Sequence, residues 1–336
     1  MILVDSLYIN NSGGVRLLEY LVSTLNRRNI DFFLLADSRC MGRFDYCKRI
    51  QYMKASLMGR KKFYQKNASS FSSVLCFGNI PAPIRMNVPV YTYFHNINLL
   101  TLSEAHGYTD MTIMWLKRAV FRYYKKNTDY WIVQTENTAC ELCKNLQEKE
   151  NRMKIFPFYE LPAELCLQKE KSHGDDYVYI SNYTGAKGHE ELLDAWEILH
   201  NRGIIRMLHL TVPSSATTFC EKVQKAQNRG VKVTNHGFVP FEEVLKLYKQ
   251  SKAIIYPSHN ESLGLGIVEA ITAGCDVIGS DLPFIYTICK PSAVFDPFSP
   301  ESIVNAVCEY EKGGMPQSEL LIYNQIDELI DLLIRA

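Results

Sequence analysis

The stretch Tyr256–Asp281, YPSHNESLGLGIVEAITAGCDVIGSD, decides how this chain is read. It continues an apolar run, Ala253–Tyr256, short enough for a buried strand. A polar loop ending in Glu261 follows, Ser262, Leu263 and Gly264 lead into a helix over 264–274, and Asp276–Gly279 reads as the next strand. Such a turn sets the free N–H groups and the positive dipole end of the helix at the carboxyl end of the strand, where they form an anion site. Glu269 stands eight positions after Glu261, a little over two helical turns, so the two carboxylates project from one side but far apart. That spacing suits holding two ends of one ligand better than sharing a proton.

Working outward, the alternation persists in both directions. Strands are expected at Tyr177–Ser181, Met207–Val212 and Val231–Asn235, with helices at Lys187–His200, 215–228 and 241–250 between them. Before residue 156 a strand at Met1–Asp5, a glycine-bearing loop at Asn10–Gly14 and a helix with Leu18, Leu21, Val22 and Leu25 on one face open the same pattern. Further strands are expected at Phe32–Ala36, Val74–Phe77, Val88–Phe94 and Tyr130–Gln134. Strands separated by helices imply parallel sheets covered on both faces, and two such domains in tandem imply a ligand cleft at the strands' carboxyl ends. The expected organisation is a first domain over 1–156, a connection over 157–176, a second domain over 177–317 and a helical tail within 318–336.

With 336 residues the chain exceeds what one hydrophobic core usually serves. Its 47% hydrophobic and 22% charged residues are those of an ordinary globular protein. The formal net charge of +1 hides a split: residues 1–160 hold 22 basic and 13 acidic side chains, and the remainder 15 and 23. Opposite charge on the two halves suggests different partners. Ten scattered cysteines, no basic and apolar leader, and no apolar run of 18 residues point to a reduced, cytoplasmic protein for which any membrane contact must be peripheral.

Glu261 and Glu269 with seven residues between them, then Ala270, Gly274 and the strand from Asp276, resemble the EX7E signature of retaining glycosyltransferases of family 4. That resemblance implies the GT-B fold, two Rossmann-like domains. It implies that Glu261 contacts the donor sugar, that Glu269 holds the ribose, and that Ser262, Leu263 and Gly264 offer backbone amides to sugar and phosphate. HGFVPFEEVLKLYKQSKAIIYPS (236–258) is similar to the family's approach to this loop, which implies a nucleobase contact at Phe238 and Val239; plain core packing is the other reading of that pair. YISNYTGAKGHEELLDAW (179–196) resembles the segment that carries a phosphate-binding lysine before a glycine, here Lys187 and Gly188. The family's arginine five or six positions earlier is absent, because Ser181 and Asn182 stand there, and His189, another basic side chain or backbone amides must compensate. In the first domain the resemblance implies that Gly13 and Gly14 approach the donor diphosphate and that His95, in Tyr93-Phe94-His95-Asn96, contacts the sugar. Gly13 and Gly14 are also compatible with a plain turn, and His95 with a packed histidine.

The resemblance further implies transfer of a sugar from a nucleotide-diphosphate sugar to an acceptor hydroxyl with retention, with Glu261, His95 and Lys187 at the reacting centre. No cofactor or metal is expected: no Asp-X-Asp pair stands at a strand end, and helix start plus lysine supply the charge. Cys140 and Cys143 have metal-like spacing but no partner pair. Two rivals stay open, a non-catalytic GT-B module and another GT-B enzyme such as a nucleotide-sugar epimerase.

Residues 39–66 carry nine Lys or Arg against Asp45 alone, interleaved with aromatic and methionine side chains. Trp115–Lys126 is expected to place Leu116, Ala119, Val120 and Tyr123 on one helical face and Arg118, Arg122 and Lys125 opposite. Basic amphipathic segments suit an anionic membrane surface, although a solvated face over a core stripe explains them equally. No nucleic-acid recognition motif accompanies the charge. The expected acceptor is a saccharide, in particular a lipid-linked one used in cell-surface polysaccharide or O-antigen synthesis, bound by the basic first domain at the inner face of a membrane.

Overall fold

The computed structural model describes residues 1–10, 12–97, 100, 108–162, 165 and 174–335, and of residues 12, 108–114 and 117 the backbone only. Residues 163, 164 and 166–173 of the expected connection lie outside the described residues. The chain forms two compact units: unit 1 comprises Met1–Glu160 with Tyr323–Ala336, and unit 2 comprises Leu161–Ile322.

Unit 1 is built on a seven-stranded parallel sheet with strands β1 (Ile2–Asp5), β2 (Phe32–Asp37), β3 (Ile50–Met53), β4 (Ser73–Cys76), β5 (Val90–Tyr93), β6 (Tyr130–Val133) and β7 (Met153–Ile155), in the order β3-β2-β1-β4-β5-β6-β7. Because strand residues alternate between faces, each strand feeds two cores. Ile2, Val4, Leu75, Tyr91 and Ile132 pack with helix Ser12–Arg27 and the C-terminal helix Ile326–Ile334. Leu3, Val74 and Val90 point the other way, onto Phe63 and Tyr64 of helix Leu57–Asn67. Trp131 and Val133 likewise meet Phe121 of helix Tyr108–Tyr124. Helices 57–67 and 108–124 therefore cover the same side of the sheet.

Several expectations change here. Ser12 already opens the first helix, so Gly13 and Gly14 sit in its first turn rather than in a loop. The tail expected as helix from 318 instead holds a two-residue strand at Glu319–Leu320 and becomes helical only at Ile326. That helix belongs to unit 1, where Ile326, Leu329, Ile330 and Leu333 are buried, Ser73 Oγ donates to the Leu333 carbonyl (2.8 Å), and Arg28 pairs with Asp327 (3.1 Å) and Asp331 (2.5 Å). Strands β3 and β7 were not expected. Both lie at sheet edges, and their half-exposed residues lack the apolar run that marks a central strand.

The basic run 39–66 is not uniformly a solvated surface. Arg60 is 2% exposed: its Nε donates to Asp5 Oδ2 (2.7 Å) and its terminal nitrogens to the carbonyls of Pro81 (2.8 Å) and Ile80 (2.9 Å). Tyr64 donates to the same Asp5 oxygen at 2.6 Å. Arg39, Arg43 and Arg49 pair with Asp37, Glu19 and Asp31. In helix 108–124 the expected faces also fail, since Leu116 and Tyr123 are exposed beside Arg122 while Phe121 is buried and Arg118 donates to the Leu100 carbonyl.

Unit 2 carries a six-stranded parallel sheet of β8 (Asp176–Tyr179), β9 (Leu208–Leu210), β10 (Val233–Asn235), β11 (Ser251–Tyr256), β12 (Asp276–Ser280) and β14 (Ala293–Phe295), ordered β10-β9-β8-β11-β12-β14. Cys289–Lys290 (β13) pairs antiparallel with Glu319–Leu320. The strand order reverses beside β8 and β11, as it does beside β1 and β4 in unit 1. Crevices outside the carboxyl ends of strands at such reversals are where open α/β sheets bind ligands.

Removing one partner from the buried Arg60–Asp5 pair strands a charge, so Arg60→Ala is expected to cost about 3–5 kcal/mol. The neighbouring exposed Lys61→Ala should stay within about 0.5 kcal/mol of the parent. Urea denaturation of both variants checks the contrast, and equal midpoints would refute it.

Candidate active site

In unit 2 the loops leaving β8 and β11 meet at the reversal point. The first turns through Gly185–Lys187 into helix His189–Asn201, and the second runs from Pro257 to Gly264 into helix Leu265–Thr272. Gly188 joins them most closely. It has φ +63°, and a Cβ built there would lie 2.3 Å from the Pro257 carbonyl oxygen. Only glycine combines that left-handed backbone with that approach. His259 N–H donates to the Ala186 carbonyl at 2.8 Å, and Tyr179 at the end of β8 donates to the Lys187 carbonyl (2.9 Å) and contacts Ser258 Oγ (3.0 Å).

The closure brings Lys187 and Glu261 together. Lys187 Nζ lies 2.5 Å from Glu261 Oε1, and the same oxygen accepts from Tyr256 OH (2.9 Å) and Ser258 Oγ (2.8 Å). Among the described residues nothing donates to Glu261 Oε2. Burial pushes the Tyr179 phenol up to about 12 and that of Tyr256 well above its ordinary value, so both hydroxyls keep their protons and donate. The carboxylate is thus aimed by three donors on one oxygen. Sequence reasoning singled out Lys187 and Glu261 but missed Tyr179, Tyr256 and Ser258. Their aromatic and hydroxyl side chains look like ordinary strand-end residues until the strands are in register.

Helix Leu265–Thr272 starts at Gly264, whose φ is +67° and whose added Cβ would come 2.8 Å from Ile288 Cδ1. Leu263 buries its side chain, which leaves the backbone of 262–264 as the polar surface of the turn. Glu269 is 5% exposed on the same helix, with the Tyr248 hydroxyl 3.5 Å from its Oε2. Phe238 is 81% exposed in the loop after β10, which overturns core packing for that ring; Val239 beside it is half-buried.

His189 does not supply the missing cation. Its ring is packed among Tyr179, Tyr183 and Phe219, with centroids 4.8, 5.4 and 5.6 Å away, and is 2% exposed. Burial first, and Lys187 second, push its pKa down to about 3, so the imidazole is neutral at physiological pH.

In unit 1, Gly13 lies where an added Cβ would meet nothing within 4 Å, so the protein's own packing does not demand glycine there. His95 follows β5 and is held by Asn79, whose Oδ1 accepts from the backbone N–H of His95 (2.8 Å) and Asn96 (3.0 Å). With Oδ1 so assigned, Asn79 Nδ2 donates to His95 Nε2 (3.3 Å), which leaves the ring proton on Nδ1. His95 Nδ1 has no hydrogen-bond partner among the described residues, and burial pushes the ring's pKa down to about 4. The strand end therefore holds a neutral imidazole whose Nδ1–H is buried and unspent among the described residues. Asn79 also went unnoticed in the sequence; its φ of +65°, directly after Gly78, fits the Gly-Asn pair as a turn signal.

Residues 168–326 match the family model described as glycosyl transferases group 1, which identifies this part of the chain as a group 1 domain. Over 150 residues, 43% of the chain, the sequence is 28% identical to the serotype-specific mannosyltransferase WbdA of Escherichia coli. The chain spans only 18% of that relative's length. Among solved structures, sucrose-phosphate synthase of Thermosynechococcus elongatus superposes with a TM-score of 0.69 at 15% identity, covering 93% of this chain and 89% of that one. The apo lipopolysaccharide outer core galactosyltransferase WaaB gives 0.65 at 14% identity, covering 99% and 94%. Anabaena HepE in complex with UDP-glucose gives 0.64 at 14% identity, covering 93% and 89%. These likenesses establish the fold class as GT-B, with two Rossmann-like parallel-sheet units.

Two consequences are measurable. Gly188→Ala should lower the unfolding free energy by about 1–3 kcal/mol through backbone strain, read from denaturant midpoints. The folded pKa of His189, about 3, lies below the ordinary 6.5. Its contribution is therefore complete above pH 6.5 and is lost as pH falls toward 3, by at most about 1.4 kcal/mol per pH unit. Unfolding curves between pH 7 and 5 should slope less in His189→Leu than in the parent; parallel slopes would contradict the assignment.

Proposed function

We propose that this chain, through its group 1 domain, is a retaining glycosyltransferase that moves a sugar from a nucleotide-diphosphate sugar to an acceptor hydroxyl. The observation that carries the reading is the meeting of Lys187 with Glu261 at the β8–β11 reversal, 2.5 Å apart and beside a helix N-terminus. A diphosphate needs the cation and the N–H groups, and a sugar hydroxyl needs the carboxylate; a nucleotide-sugar presents both within a few ångströms. On binding, Lys187 exchanges Glu261 for the diphosphate, while Tyr256 and Ser258 keep Glu261 Oε1 in place and Oε2 accepts from the sugar. Glu269 takes the ribose hydroxyls, Phe238 and Val239 take the base, and the amides of Ser262, Leu263 and Gly264 take phosphate and sugar oxygens.

In unit 1, Gly13 and Gly14 serve the diphosphate and His95 donates from Nδ1 to the sugar. The bond from the anomeric carbon to the β-phosphate oxygen breaks with its electron pair going to phosphate. The acceptor oxygen bonds to the same face of that carbon, and its proton passes to the departing phosphate oxygen. The protein contributes orientation and charge stabilisation, and this reading assigns no metal. The similarity to a serotype-specific mannosyltransferase supports a role in cell-surface polysaccharide or O-antigen synthesis. The acceptor we assign is a lipid-linked saccharide, held by the basic unit 1 at the inner face of a membrane.

A second reading, a nucleotide-sugar-binding module without transfer, is favoured by Ser181 and Asn182 in place of the arginine and by the neutrality of His189. Incubating the protein with nucleotide-sugars, with and without acceptor, separates the readings. Transfer requires both substrates, epimerisation consumes donor alone, and a module binds without turnover. For the transferase, Glu261→Ala and Lys187→Ala should each lower kcat about a hundred- to a thousandfold in protein that circular dichroism shows to be folded. Phe238→Ala should weaken nucleotide affinity roughly tenfold through lost stacking. Unchanged turnover in either of the first two variants would remove the role given to that residue.

A further inference from the structure

The loops after β4 and β5 meet over one amide side chain, and we propose that Asn79 is a positioning residue for transfer, one that decides which nitrogen of His95 carries the proton. Asn79 is 7% exposed. The backbone N–H groups of His95 and Asn96 lie 2.8 and 3.0 Å from its side-chain oxygen. A backbone N–H can only donate, so an amide turned the other way would set its own hydrogens against both. The orientation is therefore forced, Nδ2 faces His95 Nε2 at 3.3 Å, and that ring nitrogen must accept. The one proton of a neutral imidazole is left on Nδ1. Asn79 thus converts the direction of two peptide groups into the tautomer of a ring.

The fold holds both partners in place. Strands β4 and β5 pair in parallel with Cys76 opposite Thr92, so the turns that follow them leave side by side. Gly78 lies so close to the loop after β1 that a Cβ there would come 2.2 Å from the Leu7 carbonyl oxygen. Asn79 follows with φ +65°, a left-handed backbone that asparagine and aspartate adopt more readily than other residues with a side chain. The His95 ring is stacked on Tyr93, with centroids 5.1 Å apart and planes 27° apart, and Phe77 is 6.0 Å away. Burial pushes the Tyr93 phenol well above its ordinary value, so the titratable ring against His95 stays neutral. Burial also pushes His95 down to about 4. A second proton, on Nε2, would in addition face the Asn79 NH2 group, so the amide opposes the cation as well as selecting the tautomer. With hydrogen on Nδ1 the ring offers a donor to a sugar oxygen, whereas the opposite tautomer offers only a lone pair there. The weight of Asn79 in transfer rests on the proposed use of His95; the tautomer itself needs no substrate.

The test uses N79D, which keeps an oxygen for the two backbone N–H groups and suits the left-handed backbone, but whose second oxygen can only accept. Nε2 should then take the proton, Nδ1 should be bare at high pH, and the adjacent carboxylate should raise the ring's pKa to about 6.5 or above. Long-range proton–nitrogen correlation spectra of the full chain with nitrogen-15-labelled histidine read this directly, His95 being assigned by its loss in H95Q. The parent should show Nδ1 protonated and no titration between pH 8 and 5.5; N79D should show Nε2 protonated and a titration in that range. With whichever nucleotide-sugar the parent transfers, kcat/KM of N79D should fall about tenfold to a hundredfold at pH 8. It should recover as pH falls through the new pKa, because the imidazolium again carries hydrogen on Nδ1. A deficit from damaged structure would not recover. A parent ring protonated on Nε2, a ring unchanged in N79D, or an N79D deficit equal at pH 8 and 5.5 would overturn the proposal. An H95Q variant that transfers like the parent, or a parent that transfers nothing, would instead remove the use of His95 and the positioning role with it, while the spectra would still show whether Asn79 sets the tautomer.

Discussion

The close approach of Gly188 to the Pro257 carbonyl is the constraint on which the unit 2 site depends. It forces the loops after two neighbouring strands into contact at the one place where the sheet's connections diverge. A side chain at 188 would separate the loops, and Lys187 would no longer stand within hydrogen-bond distance of Glu261. Tyr179 and Tyr256 end the two strands: Tyr256 donates to the Glu261 carboxylate directly, and Tyr179 contacts Ser258, which donates to the same oxygen, so the carboxylate is oriented from the sheet as well as from its own loop. Groups placed by strand ends are held more rigidly than groups placed by loops alone.

Much of this was legible in the sequence, and what was not has a physical pattern. The central strands of both sheets show as apolar runs because they are buried on both faces, and the Glu261–Glu269 segment shows because its spacing and context are unusual together. Edge strands β3 and β7 do not show, since half-exposed residues carry no such run. Tyr256, Ser258 and Asn79 act on partners brought to them by strand register or by a turn, and no local pattern encodes that. In helix 108–124, apolar side chains at Leu116, Ala119, Val120, Phe121 and Tyr123 surround the axis, so periodicity alone could not choose the buried side. Phe94 and Trp131 choose it by packing against Phe121.

Electrostatics works on two scales in the molecule. In unit 2, whose share of the sequence is acidic, the reversal of the strand order brings one lysine beside one helix start, and burial has silenced the nearest histidine. In unit 1 the arginines are largely committed to internal pairs, and the lysines are left at the surface. That division follows from the side chains themselves: a planar guanidinium satisfies several carbonyl and carboxylate acceptors at once, as Arg60 does, whereas a strongly hydrated ammonium resists burial.

The C-terminal helix has a consequence for how the protein comes into being. Unit 2 is one continuous segment, complete once Ile322 has been added, whereas the core of unit 1 lacks Ile326, Leu329, Ile330 and Leu333 until that helix has been added in turn. At synthesis rates of about 5–20 residues per second, the first 160 residues wait roughly 8–33 s for Ile326. During this interval the β1–β4 face that it covers is open to solvent and to other nascent chains. The order of maturation is thereby inverted: the segment made second can finish first, and the one made first is finished last.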